Sequence, residues 1–590
     1  MTGLSSPAMI VRRLSPAIHL AVAAAALCLA FGCQAVAAEP DGDWLGVLAI
    51  PGTSLRVAVH LHHAAKAGYA GTLDQIDQGV WDAPLGEVAA SADTLSFKVP
   101  ALDASYAAKW DPAAGQWVGQ WTRASRVSGL NLAHGLVPPA PVVAGLDGDW
   151  DGAIQSTMGI RLRLAFHIKT GPHGTIGAID SIDQKAMGVP ISSISREGAT
   201  VRFDLKLING SFQGPLDGAG QTVAGQWTQP GVKAPLTLTR RRPGQAQPTL
   251  NRPQTPAPPY PYREEQVAFT DDAAHVRLAG TLTLPKGEGP FPVAVLVAGS
   301  GRNTRDEPIM GHQLFLVLAD HLTRAGIAVL RYDKRGTGQS SGDYDKATTL
   351  DFADDAQAGM AYLRTRKDID PRHIGLIGHS EGGLIVPIVA TRDPKTAFIV
   401  MMAGPGVFGA DVWIEQQRLL LKAAGRDDKR IATSSDLRKR MISIVRTEKD
   451  STLAAEKLRA SISAEEEAKG LPPDAIEALV RQINSNWFRS FLDYDPAPTL
   501  AKVRCPVLAL NGSKDLQVPA EQNLPVIRTA LASNPDAEVD ELPNLNHLFQ
   551  TAKTGGIGEY GQIEETMAPI ALQTITTWVL RHVGRAGGAP

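Results

Sequence analysis

The stretch from His373 to Leu384 limits what this chain can fold into more than any other. Ile374 to Ile377 is an apolar run of buried-strand length. Gly378-His379-Ser380-Glu381-Gly382 then fits G-x-S-x-G, and Leu384 to Ala390 is apolar and of helix length. Strand, tight turn and helix in that order hold a serine in a strained backbone where it can act as a nucleophile. Glycines two residues to either side remove the β-carbons that would clash. With 57 glycines in the chain, the pattern alone is weak. A second match, Gly338-Gln339-Ser340-Ser341-Gly342, has no strand before it and no helix after it, and reads as a glycine-rich loop. Context therefore selects Ser380.

The sequence around Ser380 alternates strand and helix patterns, as a mostly parallel α/β sheet requires. Val293–Ala298, Ile327–Tyr332, Ala397–Met402, Val507–Leu510 and Ala537–Leu542 read as strands, and His312–Ala325 and Asp351–Arg364 as helices. Val276–Leu284 alternates and suits an antiparallel edge hairpin with Gln266–Thr270. Residues 411–492 break the rhythm. Trp413–Ala424, Lys429–Arg446 and Pro473–Phe491 carry apolar residues at helical spacing, which suggests a lid over the sheet's C-terminal edge, spanning about 408–500.

The partners of Ser380 follow from chain order. Asp515 lies in a loop just after Val507–Leu510, where an acid can hold a histidine's tautomer. Asp540 and Glu541 fall inside a strand and suit that role less. Of the histidines beyond Asp515, His547 follows the last strand, whereas His582 sits at the end of the terminal helix; His547 is the expected general base. The strand Val293–Ala298 runs into Gly299-Ser300-Gly301, so the N–H groups of Ser300 and Glu381 are the expected oxyanion donors. This chemistry requires no metal and no cofactor.

The order Ser380, Asp515, His547 is the α/β-hydrolase order. Gly-His-Ser-Glu-Gly-Gly with Tyr-Asp-Lys-Arg-Gly-Thr-Gly-Gln-Ser resembles the bacterial esterases related to the serine aminopeptidase and prolyl-oligopeptidase groups, over residues 265–583. The resemblance implies a doubly wound sheet with a helical lid, a triad of Ser380, Asp515 and His547, and a small ester or short peptide as substrate. One departure stands out: many relatives carry His before the oxyanion glycine, and here it is Ala298. An aminopeptidase would also need carboxylates to bind the substrate amine, for which Asp411 and Glu415 are the candidates. A different class of function is a binding protein on an inert hydrolase fold; three filled triad positions argue against it.

The N-terminal part is a duplication. Asp41-Gly42-Asp43-Trp44 returns at Asp147-Gly148-Asp149-Trp150, Ile76-Asp77-Gln78 at Ile182-Asp183-Gln184, and Gly119-Gln120-Trp121-Thr122 at Gly225-Gln226-Trp227-Thr228, each at an offset of 106. Leu55–Leu61 and Arg161–Ile168 alternate with period two, so residues 41–135 and 147–240 are expected to be two tandem all-β domains with tryptophans in their cores. His60, His62 and His63 are grouped as metal ligands can be, but the same offset gives Phe166, Ile168 and Lys169, so the cluster reads as a solvated strand end. A ligand for these repeats is not legible. Residues 241–263 carry repeated prolines and read as a semi-rigid linker to a catalytic domain at 264–585.

Arg12 and Arg13, an apolar run from Leu20 to Phe31, and Ala35-Val36-Ala37-Ala38 form the three parts of an export signal over residues 1–38, and imply a periplasmic or secreted protein with no stable membrane span after cleavage. Phe31 beside Gly32 makes Cys33 a poor lipoprotein site. Cleavage would leave Cys505 as the single cysteine, so stability must come from the cores. At 590 residues the chain needs several cores, and 58 basic against 60 acidic residues give no electrostatic case for nucleic acid or an anionic membrane.

Overall fold

The computed structural model describes residues 39–50, 53–64, 68–123, 126–135, 139–155, 161–230, 232–465 and 473–584. The expected export signal, with Cys28 and Cys33, lies outside them. No helix among them is long and apolar enough to cross a membrane. The chain divides into two compact units, one built on the first repeat and the other holding the second repeat, the linker and the α/β domain.

Each repeat is a nine-stranded antiparallel meander. In the first, strand Gly42–Ile50 pairs with both the second strand, Thr53–Ala64, and the last, Arg126–His134. The two edge strands, Val80–Pro84 and Gly86–Ala90, are consecutive in the chain, so the sheet curls into a nearly closed barrel. Period-two alternation places Trp44, Val57, Val59, Phe97, Tyr106 and Trp117 inside. The second repeat has the same order, from Gly148–Gln155 to Val232–Arg240. Burying an aromatic or branched side chain contributes about 1.5–3 kcal/mol, which is how such a barrel holds together without disulfides.

The pairing corrects one reading of the repeats. Trp44 pairs with Val59 and Trp150 with Phe166, so the offset steps from 106 to 107 between the first two strands. His60 therefore corresponds to His167, not to Phe166. His60 bridges Asp43 (2.5 Å) and Asp74 (3.2 Å); His167 bridges Asp149 (2.7 Å) and Asp180 (3.0 Å). This histidine belongs to the module and ties three strands together, whereas His62 and His63 are exposed. A second repeated tie is the fork of Arg56 on buried Asp77 and of Arg163 on buried Asp183.

The C-terminal domain is an eight-stranded sheet. Its order is Arg263–Asp271, Val276–Leu284, Ala328–Tyr332, Phe291–Val297, Ile369–His379, Ile399–Met402, Val507–Gly512 and Ala537–Leu542. All pairings from Ala328–Tyr332 onward are parallel, and the first two strands form the antiparallel hairpin. Of the two hairpin strands, Arg263–Asp271 alone lies at an edge of the sheet. Val276–Leu284 also pairs with Ala328–Tyr332 and is buried except at Arg277, so the expected alternation is lost. Helices cover both faces and build two apolar cores, one around Val295, Leu376 and Ile385, the other around Leu296, Ile377 and Trp578.

Between Ile399–Met402 and Val507–Gly512 the helices Gly409–Ala423, Asp428–Thr447, Ser451–Ser463, Pro473–Ile483 and Asn486–Asp493 pack around Met441, Leu458, Ile483, Phe488 and Leu492. The helix expected over Pro473–Phe491 is two helices. Ser485 ends the first and caps the second by accepting from the Phe488 N–H. Ser451–Ser463, capped by Asp450, was not legible in the sequence. The proline-rich linker does not stand free: Arg252 donates to the carbonyls of Met310 and Gly561, and Gln254 to that of Met567.

Candidate active site

Strand Ile369–His379 delivers Ser380 at the sheet's C-terminal edge, and helix Glu381–Arg392 leaves directly behind it. Ser380 has φ 55° and ψ −116°, a conformation that costs a non-glycine residue about 1–3 kcal/mol. The turn persists because its neighbours leave no alternative. The Ser380 N–H donates to Met402 O (2.8 Å) and Gly383 N–H to Ser380 O (2.8 Å). A β-carbon at Gly378 would lie 2.1 Å from Gly382 O, and one at Gly382 would lie 2.0 Å from Val297 O. The helix runs on through Pro387.

Asp515 and His547 come from the loops after the last two strands, Val507–Gly512 and Ala537–Leu542. Those loops are joined by the N–H groups of Ser513 and Lys514, which donate to Leu542 O and Leu545 O. His547 Nδ1 donates to Asp515 Oδ2 at 2.8 Å, and both residues are buried. The other Asp515 oxygen accepts from the N–H groups of Gln517 (2.8 Å) and Val518 (2.9 Å), so the carboxylate cannot turn away from the ring. Among the described residues, no hydrogen bond joins the Ser380 hydroxyl to His547. Such contacts commonly tighten only when substrate arrives.

His379 links the serine to the histidine. Its Nε2 donates to His547 O (2.9 Å), its Nδ1 faces Glu307 Oε1 (3.0 Å), and its ring centre lies 4.9 Å from that of His547. Full burial opposes a charge on His379, yet Glu307 together with the His547 carbonyl outweighs it and raises the pKa above the ordinary value. Both ring nitrogens of His379 thus face an oxygen, one of the Glu307 carboxyl group and one of the His547 carbonyl.

The loop Gly299–Gly301 lies against this pair, in the absence of the relatives' histidine at Ala298. Glu307 Oε1 accepts the Gly299 N–H (2.7 Å), Gly299 O accepts from Lys334 Nζ (2.8 Å) and Asn303 Nδ2 (3.0 Å), and Gly301 N–H donates to the Tyr344 hydroxyl (3.0 Å). The N–H groups of Ser300 and Glu381 have no acceptor among the described residues. A β-carbon built at Gly299 would lie 3.1 Å from Ser380 Cβ, so this loop abuts the serine.

The Glu381 side chain points the other way, into the protein. It meets Lys334 Nζ (2.9 Å), Thr349 Oγ1 (2.8 Å) and Trp487 Nε1 of the helical insertion (2.6 Å). Lys334, Glu307, His379 and Trp487 were not picked out from the sequence. Lys334 carried a faint signal, since a lysine directly after a buried strand needs a partner; Glu307 carried none.

The remaining candidates lie elsewhere. In the glycine-rich loop Gly338–Gly342, Ser340 Oγ donates to Asp333 O and Ser341 Oγ accepts from Arg277 N–H, so both serines are bound into a turn. His582 donates to Trp578 O in the terminal helix, and Asp540 and Glu541 sit in the edge strand. Glu415 is paired with Arg418 (2.6 Å), and Asp411 is exposed. Cys505 is half-buried against the core, and burial pushes its thiol up to about 12. No group of three metal-ligating side chains occurs among the described residues.

Sheet order, crossover helices and a strained serine between strand and helix define the class: the C-terminal domain is an α/β hydrolase, preceded by tandem all-β barrels. Residues 312–551 match the family model described as serine aminopeptidase, S33. The chain is 29% identical over 272 residues to esterase EstD of Thermotoga maritima, a match that spans 46% of this chain and 58% of EstD. An uncharacterized 31.7 kDa protein of the traX-finO intergenic region of Escherichia coli is 25% identical over 259 residues, 43% of this chain and 83% of that one. Among solved structures, the Pyrococcus furiosus esterase Pf2001 aligns with 14% identity and a TM-score of 0.35, covering 55% of this chain and 92% of that chain.

Proposed function

We propose that this protein is an exported serine hydrolase that cleaves carboxylic esters through an acyl-enzyme on Ser380. The observation that supports it most is the strained Ser380 together with the Asp515–His547 pair, whose His547 carbonyl accepts from His379, the residue before the serine. His547 Nε2 takes the Ser380 proton as Oγ attacks the ester carbonyl carbon. The oxyanion that forms rests on the N–H groups of Ser300 and Glu381. His547 returns the proton to the leaving alcohol as the C–O bond breaks. A water, deprotonated by His547, then attacks the acyl carbon, and Ser380 leaves with the proton. The helical insertion serves as the lid, with Trp487 touching the residue next to the nucleophile.

The ester reading is favoured over an aminopeptidase because Glu415 already has Arg418 as its partner and Asp411 faces solvent. The name of EstD points the same way. Export rests on Arg12, Arg13 and the apolar run that follows. The test is hydrolysis of a p-nitrophenyl ester series and an aminoacyl-nitroanilide series by the mature protein, with Ser380→Ala as the blank. Ester turnover that falls on the order of 10⁴-fold in the variant supports the reading. Preference for the anilides replaces it with a peptidase, and ester turnover surviving in Ser380→Ala removes it.

A further inference from the structure

The proline-rich linker binds a stretch of backbone on which the loops of Asp515 and His547 both rest. Residues 561–568 join the short helix Ile557–Tyr560 to the terminal helix Pro569–Val583 and are neither helix nor strand. Thr566, Met567 and Ala568 are nevertheless buried. Buried backbone groups outside regular structure need partners from elsewhere, and here the linker supplies them. Gln254 Oε1 accepts from the N–H groups of Thr566 (2.6 Å) and Met567 (3.0 Å), and Gln254 Nε2 donates to Met567 O (2.7 Å). Arg252 donates through Nη2 to Gly561 O (2.9 Å) and through Nη1 to Ile563 O (3.1 Å).

The His547 turn is closed on itself by Asn546. Its N–H donates to Gln550 O (3.0 Å), and its Oδ1 accepts from the N–H groups of Leu548 and Gln550 (3.0 Å each). The closed turn is then fastened to the segment that the linker holds. Gln550 Nε2 donates to Glu565 O (2.9 Å), Thr551 N–H to Glu565 Oε2 (2.7 Å) and Ala568 N–H to Phe549 O (2.8 Å). Buried His312 adds a cross-tie, with Nδ1 2.9 Å from Thr566 Oγ1 and Nε2 2.9 Å from Tyr560 O. Directly before the segment, the Tyr560 hydroxyl accepts from Gln517 Nε2 (3.0 Å), and Gln517 N–H donates to Asp515 Oδ1 (2.8 Å). The histidine turn is thus bonded through His547 O to the residue before Ser380, and through Phe549, Gln550 and Thr551 to backbone that the linker secures.

We propose, on the reading of Ser380, Asp515 and His547 as a triad, that Arg252 and Gln254 are positioning residues for His547. By completing the hydrogen bonds of residues 561–567 they fix the seat of the histidine turn, and with it the reach of His547 Nε2 to Ser380. A displacement of about 1 Å in a reacting group can cost on the order of 10²-fold in rate, so a seat far from the substrate governs turnover. Neither side chain meets the reacting atoms. Their loss therefore acts on kcat and leaves KM nearly unchanged.

The experiment is a double-mutant cycle in the full chain, read by the rate of fluorophosphonate labelling at Ser380 and by kcat and KM on p-nitrophenyl butyrate. Gln254→Ala and Arg252→Ala are each made alone and together with His547→Ala. With His547 present, each is expected to slow labelling and lower kcat by about tenfold or more, with KM within about twofold of wild type. In His547→Ala, where the base is already gone, each should change the remaining labelling rate by less than about twofold. Circular dichroism checks folding. Where an alanine variant does not fold, Gln254→Glu, which keeps the two accepted bonds, and Arg252→Lys, which keeps the charge but not the fork, take its place, with expected losses of about threefold. An equal loss in both backgrounds makes the two residues structural only and overturns the proposal. Single variants that label at the wild-type rate overturn it too. A wild-type protein in which Ser380 takes no label removes the triad reading itself, and the proposal with it.

Discussion

Lys334 and Glu381 form a buried ion pair directly behind Ser380, with Nζ 2.9 Å from Oε2. The same ammonium donates to Gly299 O, the carbonyl of the peptide whose N–H belongs to Ser300. One cation thus anchors both segments whose free N–H groups flank Ser380. Removing one member of a buried pair strands the other, at a cost of about 3–5 kcal/mol. Lys334→Met is expected to destabilise the catalytic domain by that amount, and Glu381→Gln added to it should recover part of the loss. Denaturant titration followed by hydrogen exchange in the strand Ile369–His379 measures both; equal loss in the single and double variants would refute the pairing argument.

Trp487 is the hydrogen-bond tie from the helical insertion to Glu381. Trp487→Phe keeps the ring and its stacking on Phe491 (5.4 Å between centres) but removes the donor. Losing a hydrogen bond to a charged group costs about 1.5–3 kcal/mol, here felt as opening of the insertion. Exchange of the amides in residues 486–493 should speed up by tenfold or more, while the core strand Val293–Val297 stays protected.

His379 gives the site a pH dependence. Burial disfavours its charge, Glu307 more than compensates, and its folded pKa lies above the unfolded value near 6.5. A group raised in this way stabilises the fold fully below about 6.5, and its contribution is lost as pH rises through the folded value. Glu307→Gln removes the cause. Plots of unfolding free energy against pH for the wild type and Glu307→Gln should lie farthest apart below about pH 6 and approach each other as pH rises through the raised value, where the wild type loses its advantage. A difference that stays constant across pH 5 to 9 would show that His379 does not titrate with Glu307.

The elbow tolerates no β-carbon at position 382. Gly382→Ala places one 2.0 Å from Val297 O, in a stretch of strand that is itself fully buried. The variant is expected to lose ester turnover and several kcal/mol of stability. Gly129→Ala, which meets nothing within 4 Å, serves as the control and should leave both unchanged.

Much of this was legible because the elements that position the site announce themselves locally. The serine turn lies between an apolar run and a helix pattern, and the loops of Asp515 and His547 each follow a recognisable strand. What the sequence hid depends on tertiary placement. The step in offset that makes His167 the counterpart of His60 comes from hairpins that differ in length by one residue, which a rigid alignment cannot show. The helix break at Ser485 is a capping choice within a continuously apolar pattern. The roles of Glu307, Lys334 and Trp487 arise only when chain segments far apart in sequence meet at Gly299 and Glu381.

The most direct test of the account is covalent trapping of the proposed nucleophile, Ser380. The purified protein is treated with a fluorophosphonate, digested, and the modified peptide sequenced by mass spectrometry. The account predicts one adduct, on Ser380, formed far more slowly in His547→Ala and absent from Ser380→Ala. An adduct on Ser300 or Ser340, or equal labelling of Ser380→Ala, would contradict it.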